Sequence, residues 1–285
     1  MPSLENISHK LSAAASGCAA LLKAAVRSRK PFGAGPRRQE PLVILGNGPA
    51  LRPLLGSYSS SLAEMDLLAV NFFANTPEFF SLKPGMYVAA DPHFFDPKGD
   101  EKVATLWRNI ASATWNLSLY IPAGRQIPAS LPANIAVKRF NLTPADACGW
   151  LGKMLFDRGL AMPRPRNVLI PSVMIALREG YRKIFLAGAD HSWSRTLSVD
   201  DCNRVVSIQP HFYADDAKER RRVDSEYAGI PLHKIYESLA IAFRSYYIIR
   251  EYASSLGAEI VNITPGSFID AFPRLAPEKA IAARR

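Results

Sequence analysis

The feature that most constrains the fold is the stretch Pro41-Leu-Val-Ile-Leu-Gly-Asn-Gly-Pro-Ala50. Leu42 to Leu45 form an apolar run too short for a helix, and they read as a strand buried on both faces, as in a parallel sheet. The run breaks at Gly46-Asn47-Gly48-Pro49. Two glycines there would permit positive φ and a close approach of the backbone to a ligand, and Pro49 suits the first turn of a helix. A strand, a glycine-rich turn and a helix start together direct backbone N–H groups at an anion, typically a phosphate. An ordinary tight strand-to-helix turn has the same composition. The stretch fits neither G-x-G-x-x-G nor the Walker pattern, so the dinucleotide and ATPase fingerprints are absent.

Further strands follow the same form. Asp66–Asn71 and Met86–Asp91 read as short buried strands ending in Asn71 and Asp91, and Lys183–Gly188 as another, ending in Gly188-Ala-Asp190-His191. Leu117–Ile121, Ile135–Phe140 and Glu259–Asn262 complete the set, with 135–140 as an edge strand. Helical patterns cover 98–113, 145–159, 171–180 and 232–256. Strands alternating with helices predict an α/β doubly wound, mostly parallel sheet, Rossmann-like, with a single nucleotide-binding domain. In such sheets ligands gather outside the carboxyl ends of the strands, which makes Gly46, Asn47, Gly48, Pro49, Asn71, Asp91 and Asp190 candidates for ligand contact. At 285 residues with 48% hydrophobic content the chain can bury such a core.

Residues 192–229 change character: few aliphatics, many charges, and the run Lys218-Glu-Arg-Arg-Arg222. A long segment of this kind in a compact domain reads as an inserted lid. Gln209-Pro-His211-Phe212-Tyr213 is an island of rings within it, and His211 could close over a ligand and take a proton from a hydroxyl. Asp190 and His191 are adjacent, so their side chains point apart and do not read as a paired acid and base.

Residues 1–40 read as an N-terminal amphipathic helix and a basic linker, 41–275 as the α/β domain, and 276–285 as a tail. The helix repeats Leu4, Ile7, Leu11, Ala14, Cys18, Leu21, Leu22 and Ala25, and would lie on an anionic lipid surface or dock on protein. The net charge of +10 fits an anionic partner. Nucleic acid is the weakest match, because the basic residues are scattered and no recognised motif is present. Three distant cysteines indicate neither disulfides nor a zinc site, and point to a reducing cytoplasm. No metal-ligand spacing stands out.

The order VILGNGPAL, VNFF, ADPHFF and then PSVMIALREGYRKIFLAGADHSW resembles the bacterial sialyltransferases of glycosyltransferase family 42, whose G-N-G-P-S-L turn, N-Q-F segment and G-Y-K-E-I-Y-L-x-G-I-D segment recur in this order. The likeness spans about residues 41–100 and 168–213, with TPGSFIDAF echoing a later P-N-S segment. It implies metal-independent, inverting transfer of a sugar, such as a sialic-acid-like sugar acid, from a CMP-activated donor. No cofactor is implied. The acceptor would be a glycan or lipid-linked glycan of cell-surface polysaccharide or lipooligosaccharide assembly. His211 would be the catalytic base; Asn47, Gly48, Asn71, Ser172 and Ser267 would hold the donor; Tyr213 and Tyr227 would contact the leaving phosphate. Ala50, Phe72, Asp91 and Pro171 depart from the family pattern. The implied site of action is cytoplasmic, peripheral on the inner membrane face, and a homo-oligomer is compatible with it. Two alternatives stand beside this reading: an ATP- and Mg²⁺-dependent pyrophosphokinase-like enzyme, after the weaker likeness to pterin pyrophosphokinase-like domains, and a non-catalytic nucleotide- or glycan-binding scaffold.

Overall fold

The computed structural model describes residues 17–96, 99–146, 149–206 and 229–282. Its centre is a seven-stranded parallel sheet. The strands are β1 (Leu42–Leu45), β2 (Asp66–Val70), β3 (Met86–Val88), β4 (Leu117–Pro122), β5 (Ile135–Phe140), β6 (Lys183–Ala187) and β9 (Glu259–Asn262). A separate hairpin pairs β7 (Ser198–Val199) with β8 (Val205–Val206). The order in the sheet is β5-β4-β3-β2-β1-β6-β9. The chain therefore winds outward from β1 on one side, returns, and continues beyond β1 on the other. The direction reverses between β1 and β6, the point where open α/β sheets form their binding crevice.

Alternation along the strands builds two cores. Leu42 and Ile44 face one side with Leu68, Val70, Ile184 and Leu186. Val43 and Leu45 face the other with Leu67, Ala69, Phe185 and Ala187. The first face is covered by the helical residues 17–27 (α1), α5 (Trp150–Asp157), α6 (Leu169–Arg178) and α7 (Leu232–Ser255). The second is covered by α2 (Leu51–Ala63), α3 (Pro77–Leu82), α4 (Glu101–Ala111) and α8 (Pro277–Ala282). With helices on both faces, all four β1 residues have no exposed surface, which is why that strand is aliphatic throughout. The chain is α/β and doubly wound.

Three segments differ from the sequence reading. Residues 33–38, expected as a linker, run as a bonded arm. The Gly35 amide donates to the Arg178 carbonyl at 2.9 Å and the Arg38 amide to the Gly180 carbonyl at 2.9 Å. Gly180 (φ 95°) is required there, because a Cβ would lie 1.8 Å from the Pro36 carbonyl oxygen. The stretch from 276, expected as a tail, forms α8, with Ala280 and Ile281 buried in the second core. The helix expected from Ala145 begins only at Trp150, since the Ala145 amide donates to the Met162 carbonyl at 2.8 Å and holds 144–146 extended.

Candidate functional site at the carboxyl ends of the strands

Continuing the register of β1 with β6, in which Leu45 stands opposite Ala187, places Gly46 against Gly188 and Gly48 against Asp190. Neither Gly46 nor Gly48 has a positive φ. Their smallness serves a close approach across the switch point instead. A Cβ on Gly46 would stand 2.5 Å from the Gly188 carbonyl oxygen, and one on Gly48 would stand 1.9 Å from Asp190 Oδ2. The Gly46 amide donates to the Ala187 carbonyl (2.7 Å) and the Gly48 amide to the Gly188 carbonyl (2.9 Å). The Ala50 amide, at the start of α2, donates to Asp190 Oδ1 at 3.1 Å. Pro49 opens the turn that winds into α2, with the Leu51 amide donating to the Gly48 carbonyl at 3.0 Å.

These contacts correct the phosphate expectation at this turn. The Gly48 and Ala50 amides are committed within the protein, and an anion, the Asp190 carboxylate, already caps the N-terminus of α2. Burial pushes the Asp190 carboxyl up, opposed by the Ala50 amide bond. The close neighbour that demands glycine at Gly46 and Gly48 is the protein's own loop.

On the other side of β1 the arrangement is different. Leu45 stands opposite Ala69, so the same register brings Asn47 beside Asn71. Asn47 Nδ2 donates to the Val70 carbonyl at 3.1 Å, which fixes the amide so that its oxygen is the remaining group. Asn47 Oδ1 and Asn71 Oδ1 are both buried, with no hydrogen-bond partner among the described residues. Asn71 is held in the left-handed region (φ 48°), where asparagine is among the few tolerated side chains, and its carbonyl accepts the Tyr87 hydroxyl. A buried acceptor left without a donor costs about 1–3 kcal/mol. Two of them, side by side at the ends of β1 and β2, form a locus that a ligand carrying N–H or O–H groups would satisfy.

The other candidates lie along the same edge with internal partners. Asp91 Oδ1 accepts the His93 amide at 2.9 Å and caps the short turn Pro92–Phe95. His93 Nε2 donates to Asp100 Oδ2 at 2.8 Å. Burial works against Asp100, yet the bonds from His93 and the Lys102 amide hold its carboxyl below the ordinary value. Ser267 is 3% exposed. Its hydroxyl donates to the Ala189 carbonyl (2.6 Å) and accepts from Asn262 Nδ2 (2.8 Å) and the Ile269 amide (3.2 Å), so it ties the β6 and β9 loops together and has no capacity left for a nucleotide. Ser172 has no exposed surface; it sits inside α6 and donates to the Val168 carbonyl at 2.7 Å. Both hydroxyls thus have partners within the protein, in place of the donor contacts expected of them. His211, Tyr213 and Tyr227 lie outside the described residues.

A second polar system was not foreseen. Asp190 points to α2, while His191 (φ 51°) points to α7. His191 Nε2 lies 2.6 Å from Tyr246 Oη. The Tyr246 hydroxyl donates to Asn167 Oδ1 at 3.0 Å, and that oxygen also accepts the Leu169 amide at 3.0 Å, capping α6. The Leu169 amide fixes Oδ1 as the atom facing Tyr246, and with the tyrosine proton on Oδ1 the ring proton of His191 sits on Nε2. Nδ1 is then the basic atom. Burial holds His191 neutral, with its pKa down to about 3, and raises Tyr246. Trp193 lies against the imidazole, with centroids 4.1 Å apart and the ring planes tilted by 37°. In the sequence Tyr246 is one member of a helical stripe; the asparagine before an apolar helix start was the available signal for the cap.

Among the described residues no group of three or more His, Cys, Asp or Glu side chains could hold a metal ion, and no helix is long and apolar enough to cross a membrane. The sequence matches no protein-family model, and no curated protein matches it. The MAf glycosyltransferase from Magnetospirillum magneticum AMB-1 is similar in structure, at a TM-score of 0.48 and 10% identity. The alignment covers 92% of this chain and 39% of that one, so this chain spans about two fifths of the neighbour's length.

Proposed function

We propose that the chain is a glycosyltransferase whose nucleotide-sugar donor binds at the carboxyl ends of β1 and β2. The observation that carries the reading is the pair of buried, unpartnered amide oxygens of Asn47 and Asn71 beside the switch point. They would accept hydrogen bonds from the donor-rich part of the ligand, such as a base amino group or ribose and sugar hydroxyls. The GNGP and VNF segments that carry these asparagines also carry the likeness to glycosyltransferase family 42. In this reading the donor is CMP-activated. The reaction is a single, metal-independent displacement: the acceptor oxygen forms a bond to the anomeric carbon as the bond to the CMP phosphate breaks, with inversion. His211 takes the proton from the acceptor hydroxyl, and Tyr213 and Tyr227 contact the departing phosphate. The acceptor is a glycan or lipid-linked glycan of the cell surface, met at the cytoplasmic side.

Thermal stability with CMP, CDP, UDP, GDP and ATP, each with Mg²⁺ and with EDTA, tests this, since a ligand that binds the native state raises Tm by mass action. The expected result is stabilisation by CMP that survives EDTA and is lost in Asn47→Ala and Asn71→Ala. Stabilisation by ATP only with Mg²⁺ would replace the reading with a pyrophosphokinase. A flat response to every nucleotide would leave a scaffold. With a CMP-sugar in hand, a fully active His211→Ala would remove the assigned base.

A further inference from the structure

The N-terminal helix docks by one face and leaves the other bare. Ala20 and Ala24 are buried in the first core, and Gly17 stands so close to α5 that a Cβ would lie 2.9 Å from Leu151 Cδ2. On the opposite side Leu22 is 70% and Val26 84% exposed, and Trp150, next to Leu151, is 79% exposed. Cys18, Ala19, Leu21 and Ala25 fill the same outer face and are also exposed.

The helix and the arm after it carry only cations; the acids that neighbour them, Asp146 near Lys23 and Glu179 at 3.8 Å from Arg38, are engaged by Arg164 and Lys138. Residues 17–38 contain Lys23, Arg27, Arg29, Lys30, Arg37 and Arg38 and no Asp or Glu. Beyond the helix the arm crosses to the carboxyl ends of β4 and β5: the Arg29 amide donates to Asn141 Oδ1 at 2.8 Å and the Phe32 amide to the Arg139 carbonyl at 3.0 Å. This crossing gathers three exposed arginines. The Arg29 guanidinium lies over Gly124, 3.7 Å from where a Cβ would stand, and Arg139 Nη1 donates to the Arg125 carbonyl at 2.6 Å. Residues 121–143 likewise contain no acid.

We infer that this face, made of the outer side of α1, Trp150 and the Arg29, Arg125 and Arg139 cluster, binds an anionic lipid bilayer. An apolar stripe with an indole beside it and cations at its rim matches the headgroup boundary, where apolar groups enter and cations meet lipid phosphates. Arg125 and Arg139 stand at the same sheet edge as Asn47 and Asn71, so a molecule lying on this face holds the edge that carries the candidate site near the lipid surface. The inference stands on exposure and charge and does not rest on the reaction proposed above.

Co-sedimentation with phosphatidylcholine vesicles, with and without phosphatidylglycerol, tests it. The full chain should sediment with the anionic vesicles, less at high salt, and stay in solution with neutral ones. Arg29→Gln and Arg125→Gln should each weaken partitioning roughly fivefold. Leu22→Ser with Val26→Ser should abolish it at unchanged Tm, since both side chains are exposed. Trp150 emission should shift to the blue with anionic vesicles, a shift missing in Trp150→Phe. No binding to anionic vesicles, or binding that these variants leave unchanged, would overturn the inference. So would concentration-dependent self-association without lipid that Leu22→Ser with Val26→Ser abolishes, which would make this face an interface between copies of the chain.

Discussion

Replacing Gly48 by alanine adds one methyl group where the loops of β1 and β6 meet. That carbon would lie 1.9 Å from Asp190 Oδ2 and 2.7 Å from the Gly188 carbonyl oxygen. The carboxylate can rotate away; the carbonyl is backbone and accepts the Gly48 amide at 2.9 Å, so the turn itself must open. Overpacking of this kind costs about 1–3 kcal/mol. If Asp190 swings out, the Ala50 amide loses its cap, worth about 1 kcal/mol more. The total is about 2–4 kcal/mol, which for a chain of this size lowers Tm by roughly 4–16 °C. Thermal and urea denaturation of Gly48→Ala, Asp190→Ala and the double variant measure this. Because the carboxylate clash and the cap share one side chain, the substitutions should not add: in the Asp190→Ala background Gly48→Ala should cost less by about 1–2 kcal/mol. A Gly48→Ala protein with wild-type Tm, or strictly additive costs, would refute the argument that this glycine exists for the approach of Asp190.

Other expectations follow from the same geometry. Tyr246→Phe removes the acceptor for His191 Nε2–H and a donor to Asn167; it should cost about 1–3 kcal/mol in urea melts, and an unchanged midpoint would discount the network. Burial depresses the folded-state pKa of His191 to about 3 from 6.5. Its contribution is therefore full above about pH 6.5 and lost as pH falls toward 3, at about 1.4 kcal/mol per unit. His191→Gln should flatten that part of the stability profile relative to wild type; identical slopes would contradict the buried neutral ring. Ser267→Ala should lower Tm by several degrees while leaving the affinity for any bound nucleotide unchanged, and a selective loss of affinity would return Ser267 to the ligand site. Glu179, 5% exposed, accepts the Tyr120 hydroxyl (2.8 Å) and Lys138 Nζ (2.7 Å). Glu179→Ala takes the acceptor from the buried Tyr120 hydroxyl and the carboxylate from Lys138, whose side chain is 31% exposed; it should cost about 1–3 kcal/mol, and an unchanged midpoint would show that the pair is solvated.

Much of the architecture is written in short-range pattern. Short apolar runs bounded by polar or turn residues, as at Leu42–Leu45 and at 184–187, specify strands buried on both faces, and helices between them leave a parallel sheet as the solution. Gly46, Asn47, Asn71, Asp91 and Asp190 are legible as strand-end residues for the same reason: the apolar run stops there. What each of them does was decided by residues far away in the chain. Gly48 reads alike whether it admits a phosphate or a carboxylate, and only the register of β1 with β6 brings Asp190 to it. Ser172 and Ser267 fit a motif, yet helix packing and the β9 loop engage their hydroxyls. His191, Tyr246 and Asn167, drawn from three separate elements, become one network only when α7 lies across α6. Local sequence sets backbone conformation and which face is apolar, through sterics and water. Hydrogen-bond satisfaction is a property of partners brought from a distance, and only the tertiary structure decides which polar groups are used up and which, like Asn47 Oδ1 and Asn71 Oδ1, are left without a partner among the described residues.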